Sequence, residues 1–347
     1  MSDSIELMIG GMAIRDFASY RVESDLFAAA DAFSIELADP DISIAPGARC
    51  RLKVNGIIEL NGIIDCVDRS HDKTWRRLRI EGRDLMGLLV DSYCRTWPDI
   101  QATKLSVLTQ TLLADIPYLS GVQIRYGKGD KSRAVALTRK EEESDNTQVK
   151  PGQTVFDVLK EKALAQGLLF MSLPDGTLMF MEPATSGAAQ CFLTCTKQNS
   201  AGNNIISARH IDDISRRYKT VTAVGQRQGE DDIEPQDINV PSATVSDETF
   251  PFAKPYVAEV HNGAQSLKNY AKVLMDGQKF DGWNLEVKTY GHAQNGLNYQ
   301  VNTVCHVRDE VLGINQDLLC YGRVFEMSKE EGATTTLQLS QLGVLPA

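Results

Sequence analysis

The chain has no apolar run that approaches the roughly 18 residues of a membrane span. It begins Met1-Ser-Asp-Ser-Ile-Glu, with no basic segment leading into an apolar stretch, so no secretory signal is expected. Production and retention in the cytoplasm follow, unless the protein leaves as part of a larger particle. Basic charge is in deficit. Lys and Arg number 36 against 46 Asp and Glu, a net charge of −10. That balance excludes the basic footprint of a protein that grips phosphates. It suits a surface that nucleic acid passes without sticking, because an acidic wall repels phosphate.

Catalytic fingerprints are missing too. There is no Gly-x-Ser-x-Gly elbow and no His-Glu-x-x-His, and the five histidines form no motif. Tyr126-Gly-Lys-Gly-Asp-Lys-Ser132 looks like a phosphate loop but fails the pattern. Five residues separate Gly121 from Gly127 where four are needed, and Gly129 stands in place of the magnesium-binding hydroxyl. Asp212-Asp213 and Glu230-Asp231-Asp232 are adjacent only in sequence, whereas catalytic carboxylates need a defined separation in space. The seven cysteines are odd in number and scattered, which is no disulfide framework. Reduced, structural thiols are expected. Cys191 and Cys195 fall on one face of a strand as core thiols, and Cys305 and His306 point to opposite sides, so neither pair makes a zinc site. No catalytic residue, cofactor or metal is expected.

What is present is an internal echo. One copy runs Cys50-Arg-Leu-Lys-Val, then Gly56 to Cys66, a polar turn, and Leu78 to Leu85. The other runs Cys305-His-Val-Arg-Asp, then Val311 to Cys320, a polar turn, and Thr334 to Leu342. Fifteen residues separate the cysteines in one copy and fourteen in the other. Two copies are too few for a solenoid. They fit two related β-barrels in one subunit.

Along the chain, residues 1–96 read as a first β-barrel domain. Ile5, Leu7 and Ile9, then Phe33, Ile35 and Leu37, alternate with polar or outward residues at the period of a strand. Asn55-Gly56 and Asn61-Gly62 offer the positive φ that tight hairpins require. Residues 97–185 read as a smaller α/β domain. Leu105, Val107, Leu108, Leu112 and Leu113 have helical spacing. Thr154-Val-Phe-Asp157 is a capping pattern after Pro151-Gly152, with Gly167 at the far end. A hairpin follows, turning at Pro174-Asp-Gly176. Arg139 to Asp145 reads as an exposed polar loop. Residues 186–347 read as a second β-barrel domain, with a strand at 218–225, a loop at 226–250 and a helix at 265–277. Trp283, Leu285 and Val287 give its clearest strand alternation. The fold class is mainly β with α+β insertions.

Trp75-Arg-Arg-Leu-Arg79 is the one basic cluster. On a strand, Arg77 and Arg79 share one face, while Arg76 and Leu78 share the other. Two readings stand open: an intersubunit or partner contact for an acidic neighbour through Arg76, Arg77 and Arg79, or an edge strand guarded by charge.

This order of elements resembles the baseplate hub proteins of contractile phage tails, in particular the 43 kDa tail proteins of Mu-like phages and prophages. These are similar to late-control D proteins and to the spike base of type VI secretion. The resemblance rests on the N-terminal β-unit, the Thr154–Met181 module, the Leu267–Leu274 helix, Phe280-Asp-Gly-Trp-Asn-Leu285, Val311-Leu-Gly-Ile314 and Gly332-Ala-Thr-Thr-Thr-Leu-Gln-Leu339. One departure is visible: Asn298-Tyr-Gln-Val-Asn302 stands where relatives carry a Pro-Gly step. The resemblance implies a homotrimer with two tube-like barrels per subunit, hence a pseudo-sixfold ring. Such a ring would join a tail tube to a trimeric spike and line a passage that DNA crosses without specific binding. It implies a non-enzymatic protein of the virion baseplate, assembled in the bacterial cytoplasm, with no membrane insertion. The alternatives are a tail-associated glycan or cell-wall hydrolase, and the spike base of a type VI-like or tailocin delivery system.

Overall fold

A computed structural model describes residues 3–38, 41–98, 103–127, 148–164, 168–182, 184–198, 200–225, 241–260 and 267–344. The chain divides into two compact units. The larger takes residues 1–136, 145–208 and 286–339; the smaller takes 137–144, 209–285 and 340–347.

The echo is visible as two meanders. The first consists of Arg49–Val54, Ile57–His71 and Arg76–Asp84. Asn55 and Gly56 both take left-handed backbone (φ 52° and 78°), the geometry of a two-residue hairpin turn. The second consists of Thr303–Asp309, Ile314–Ser328 and Gly332–Gln341. Its first turn is built differently. The Asp309 carboxylate accepts from the N–H groups of Val311 and Leu312, and Gly313 takes φ 72°. The central strand is 15 residues long in both copies. The cysteine spacing is a weaker guide. Cys50 and Cys305 each lie four residues before the end of their strand. Cys66, however, is exposed nine residues into the first long strand, whereas Cys320 is buried six residues into the second.

Both meanders enter one 13-stranded sheet. Its path runs Ile205–Asp212, Trp283–Tyr290, Gly332–Gln341, Ile314–Ser328, Ser19–Asp25, Ala32–Ala38, Arg76–Asp84, Ile57–His71, Arg49–Val54, Ile5–Ile9 and Met12–Ile14. Thr303–Asp309 branches from Ile314–Ser328 and carries Cys191–Cys195 in parallel on its far side. The hairpin Ser19–Asp25/Ala32–Ala38 therefore bridges the two meanders. Val67, Ile80, Ile35, Tyr20 and Met327 fall in one row across five strands. The expected pair of barrels does not appear as two closed cylinders: no sheet of the described residues closes, and strands of both halves share one sheet.

Asn61-Gly62 is not a turn. It lies inside the strand Ile57–His71, and its glycine is needed for close approach rather than for positive φ. A Cβ on Gly62 would lie 1.9 Å from the Arg83 carbonyl oxygen, and one on Gly82 would lie 2.3 Å from that of Ile63. Just beyond, the register shifts between Ile64 and Cys66.

The inserted module follows the sequence expectation. Helices Leu105–Leu113 and Val155–Leu164 form, the latter capped by Thr154: Asp157 N–H donates to Thr154 Oγ1 at 3.1 Å, and that hydroxyl donates to Asp157 Oδ2 at 2.7 Å. A three-stranded sheet orders Ile124–Tyr126, Leu178–Met181 and Leu169–Ser172. Phe170 and Phe180 stack at 4.4 Å over a core that includes Leu108, Leu112, Val158 and Leu159.

In the smaller unit, Thr220–Gly225 lies between Ser242–Ser246 and Pro255–Val260. Helix Leu267–Gly282 buries Ala271 and Met275 against Val221 and Ala223. Two expectations need correction here. Ser242–Ser246 is a strand, not loop; its alternation of exposed and half-buried small residues was too weak to read. The helix passes Gly277, which is buried within it, and ends at Gly282. A Cβ there would meet the Asp213 carbonyl oxygen at 2.6 Å. Residues 128–132 and 139–145, Gly167 and residues 226–240 lie outside the described residues. Among the described residues, no helix is long and apolar enough to cross a membrane.

Candidate functional site

Three features of the larger unit could bear on function: a buried polar junction, a charged outer face with projecting hairpin tips, and a sealed strand edge.

The junction joins the two long strands. Arg323 Nη1 donates to Glu59 Oε2 and to the Tyr299 carbonyl, each at 2.7 Å. Asn298 Nδ2 donates to Glu59 Oε1 at 2.6 Å and to the Val54 carbonyl at 2.9 Å. Asn55 Nδ2 reaches Asn298 Oδ1 at 3.1 Å. The Arg323 guanidinium also lies 4.0 Å from the centre of the Phe325 ring. A cavity of about 250 Å³ opens beside this junction, lined by Asp31, Ser24, Gln300, Asn302 and others. Burial pushes the Asp31 carboxyl up to about 6, against hydrogen bonds from Ser24 and the Asp25 N–H that pull it down. Burial, then the neighbouring Asp31 charge, holds Asp84 well above the usual carboxylate range. Where the Pro-Gly step is absent, Asn302 takes φ 58° and turns the chain into Thr303–Asp309.

His292 is buried in the same unit. Its Nε2 lies 2.7 Å from the Tyr20 hydroxyl and its Nδ1 3.1 Å from Thr335 Oγ1. Burial chiefly lowers its pKa to about 4. Nothing in the sequence pattern marks this histidine.

The basic cluster lies on the first meander. Arg77 and Arg79 share the outer face, as expected, and Leu78 points inward. Arg79 pairs with Glu81 at 2.6 Å and donates to Ser34 Oγ at 3.1 Å, while Arg77 lies 4.0 Å from Glu36 and 3.9 Å from Asp68. Arg21 continues the ladder with Glu23 and Glu326. The strand Arg76–Asp84 is paired on both sides, so the reading of a guarded edge strand falls. Arg76 is exposed at the hairpin tip, beside a groove of about 160 Å³ lined by Arg69, His71, Arg77 and Ile42.

One edge strand of the sheet is Cys191–Cys195. Cys191 and Cys305, register partners on adjacent parallel strands, form a disulfide with Cα atoms 4.7 Å apart. This corrects the expectation of reduced thiols: the two residues are 114 positions apart in sequence, and only the fold brings them together. The outward groups of this strand are satisfied by side-chain amides. Phe192 N–H donates to Gln294 Oε1 at 2.7 Å, and Gln294 Nε2 donates back to the Phe192 carbonyl at 2.8 Å. Asn204 takes the Thr194 N–H at 2.8 Å, and Asn203 takes the Thr196 N–H at 2.9 Å.

This architecture is that of phage tail proteins. A tail protein from Neisseria meningitidis is 24% identical over 99% of this chain and 98% of its own, with a TM-score of 0.80. The 43 kDa tail protein of prophage MuSo2 from Shewanella oneidensis is 17% identical over 99% of each chain, with a TM-score of 0.78. An E. coli component of the type VI secretion system, itself similar to T4 tail proteins gp27 and gp5, is 12% identical over 96% of this chain and 76% of its own, with a TM-score of 0.55. More particularly, residues 4–84 match the family model of the Mu phage baseplate assembly protein GpP-like N-terminal domain. No curated protein matches the sequence. The resemblance to tail proteins of Mu-like phages and prophages is borne out by these matches.

Proposed function

We propose that the chain is a structural baseplate hub. Three copies form a ring that presents six like meanders, connects a tail tube to a trimeric spike, and lines a passage that DNA crosses without specific binding. The observation that carries this reading is the pair of meanders, each with a 15-residue central strand, joined through Glu59 and Arg323. A threefold object needs such a duplication to offer six near-equal contacts to a sixfold neighbour. Residues 1–96 and 186–347 supply the two tube-like halves, and 97–185 the α/β module. The net charge of −10 per chain favours release of phosphate rather than capture. Arg76, Arg77 and Arg79 are contact residues for an acidic neighbour, and the role is non-enzymatic. The protein is assembled in the bacterial cytoplasm and ends in the virion baseplate. The E. coli relative favours one second reading, the base of a type VI-like spike, which differs in context rather than in fold.

Sedimentation equilibrium of the full chain, alone and with the tube and spike proteins of its tail, tests the reading. A species of three times the chain mass is expected. A persistent monomer that joins neither partner would overturn it.

A further inference from the structure

Four Asn-Gly steps occur in the chain, at 55–56, 61–62, 262–263 and 295–296. Such a step is chemically weak, because glycine has no side chain to shield its amide nitrogen from the asparagine carbonyl before it. The rate of attack depends on how freely the asparagine side chain and the following backbone can turn. Two of the steps are held. Asn55 Oδ1 accepts from the Ser4 N–H at 3.0 Å, and its Nδ2 donates to Asp3 Oδ1 at 2.8 Å and to Asn298 Oδ1 at 3.1 Å. Asn61 Nδ2 donates to the Asp175 carbonyl at 2.9 Å, and Gly62 lies inside a strand paired on both sides. Residues 262–263 lie outside the described residues.

Asn295-Gly296 is unlike the two held steps. It is the two-residue turn between Ala293–Gln294 and Leu297–Asn298, with φ 54° and 81°, the left-handed pair that such a turn requires. Both residues are exposed, and a Cβ on Gly296 would meet nothing within 4 Å. Among the described residues, no hydrogen bond holds the Asn295 side chain. The flanking strands have two residues each, too short to hold a hairpin rigid by themselves. Next to this turn stands Gln294, whose amide covers both the N–H and the carbonyl of Phe192 on the edge strand.

We propose that Asn295-Gly296 is a site of spontaneous deamidation, and that its conversion unseals the edge at Phe192. The Gly296 nitrogen gives its proton to solvent base and bonds to Asn295 Cγ. The Cγ–Nδ2 bond breaks, and the side-chain nitrogen leaves as ammonia, which closes a succinimide ring. Water then opens the ring at either carbonyl. One opening leaves aspartate; the other leaves isoaspartate, whose main chain runs through the former side chain and is one carbon longer. The balance is amide plus water to carboxylate plus ammonium, with nothing oxidised or reduced. Both products place a negative charge beside Gln294, and the longer main chain moves it. The two hydrogen bonds to Phe192 need Gln294 in one position, so they are lost together.

The test ages the full chain in mildly alkaline buffer. Mass spectrometry follows each Asn-Gly peptide, and an isoaspartyl methyltransferase labels isoaspartate. Asn295 is expected to convert about tenfold or more faster than Asn55 or Asn61, whose hydrogen bonds must first open. Amide exchange at Phe192 is expected to rise about tenfold in the aged wild type, as a local opening would make it do. It should stay unchanged in aged Asn295→Gly, which keeps a permitted turn and has no amide to lose. The comparison among the three asparagines needs no variant, so it decides the site even if Asn295→Gly folds poorly. Conversion at Asn295 no faster than at Asn55 and Asn61 would overturn the site. Unchanged Phe192 exchange after conversion, or an equal rise in aged Asn295→Gly, would overturn its effect on the edge.

Discussion

Arg323 and Glu59, 264 residues apart in sequence, meet at 2.7 Å with side chains only 4% and 2% exposed. Each stands on the long central strand of its meander, so the contact pins one copy of the echo to the other. A buried pair of this kind is costly to break, because the remaining charge has no water to turn to.

Removing one partner is therefore expected to destabilise the fold. Arg323→Met or Glu59→Gln should each lower the unfolding free energy by about 3–5 kcal/mol, while the double variant should recover a large part of the loss. Urea unfolding of the four proteins of the cycle measures this. Additive losses would mean that the two side chains act independently.

Acid should act through His292 and Asp31 in opposite directions. The folded pKa of His292, about 4, lies below the unfolded value of about 6.5. Its contribution is present above pH 6.5 and is lost as pH falls from there towards 4. Asp31, raised to about 6, does the reverse: its protonated form is favoured in the fold, and stability is lost as pH rises from about 4 to 6. Asp31→Asn should raise the melting temperature at pH 7.5, with the gain disappearing below pH 4. His292→Gln should flatten the acid decline between pH 6.5 and 4. Thermal melts across pH 3.5–8 decide both.

Reduction should loosen the edge strand. Opening Cys191–Cys305, or replacing both residues with serine, should cost about 2–4 kcal/mol, as expected for a bridge closing a long loop. Melts with and without reductant, together with mass-resolved alkylation of the two cysteines, provide the check. An unchanged melting temperature under full reduction would count against a stabilising role.

Gly62→Ala should be far worse than Gly56→Ala. At position 62 the new methyl would run into the Arg83 backbone, which cannot move without breaking the first meander. Gly56 has open space and only a positive φ to satisfy, which costs about 1 kcal/mol. Soluble yield and chemical denaturation compare the two. Equal stability would contradict the register between Ile57–His71 and Arg76–Asp84.

The meanders, the Thr154 cap and the Phe170–Phe180 hairpin were legible because each rests on local chemistry: strand alternation, a capping hydroxyl, a turn glycine. The order of strands across the sheet was not, since pairing between Ile314–Ser328 and Ser19–Asp25 leaves no local mark. For the same reason the disulfide partner of Cys191 and the burial of His292 were hidden. The cysteine spacing was misleading at its second position, where Cys66 is exposed and Cys320 is buried. The basic cluster was placed on the correct face but misjudged as a possible edge, because neither neighbour of Arg76–Asp84 could be inferred from the cluster itself.

The amides of Gln294, Asn204 and Asn203 occupy the places that a further strand would need beside Phe192, Thr194 and Thr196. Newly made chains waiting for their partners are thus denied an obvious template for stacking onto one another there. At that border, sideways growth into fibres is refused before assembly begins.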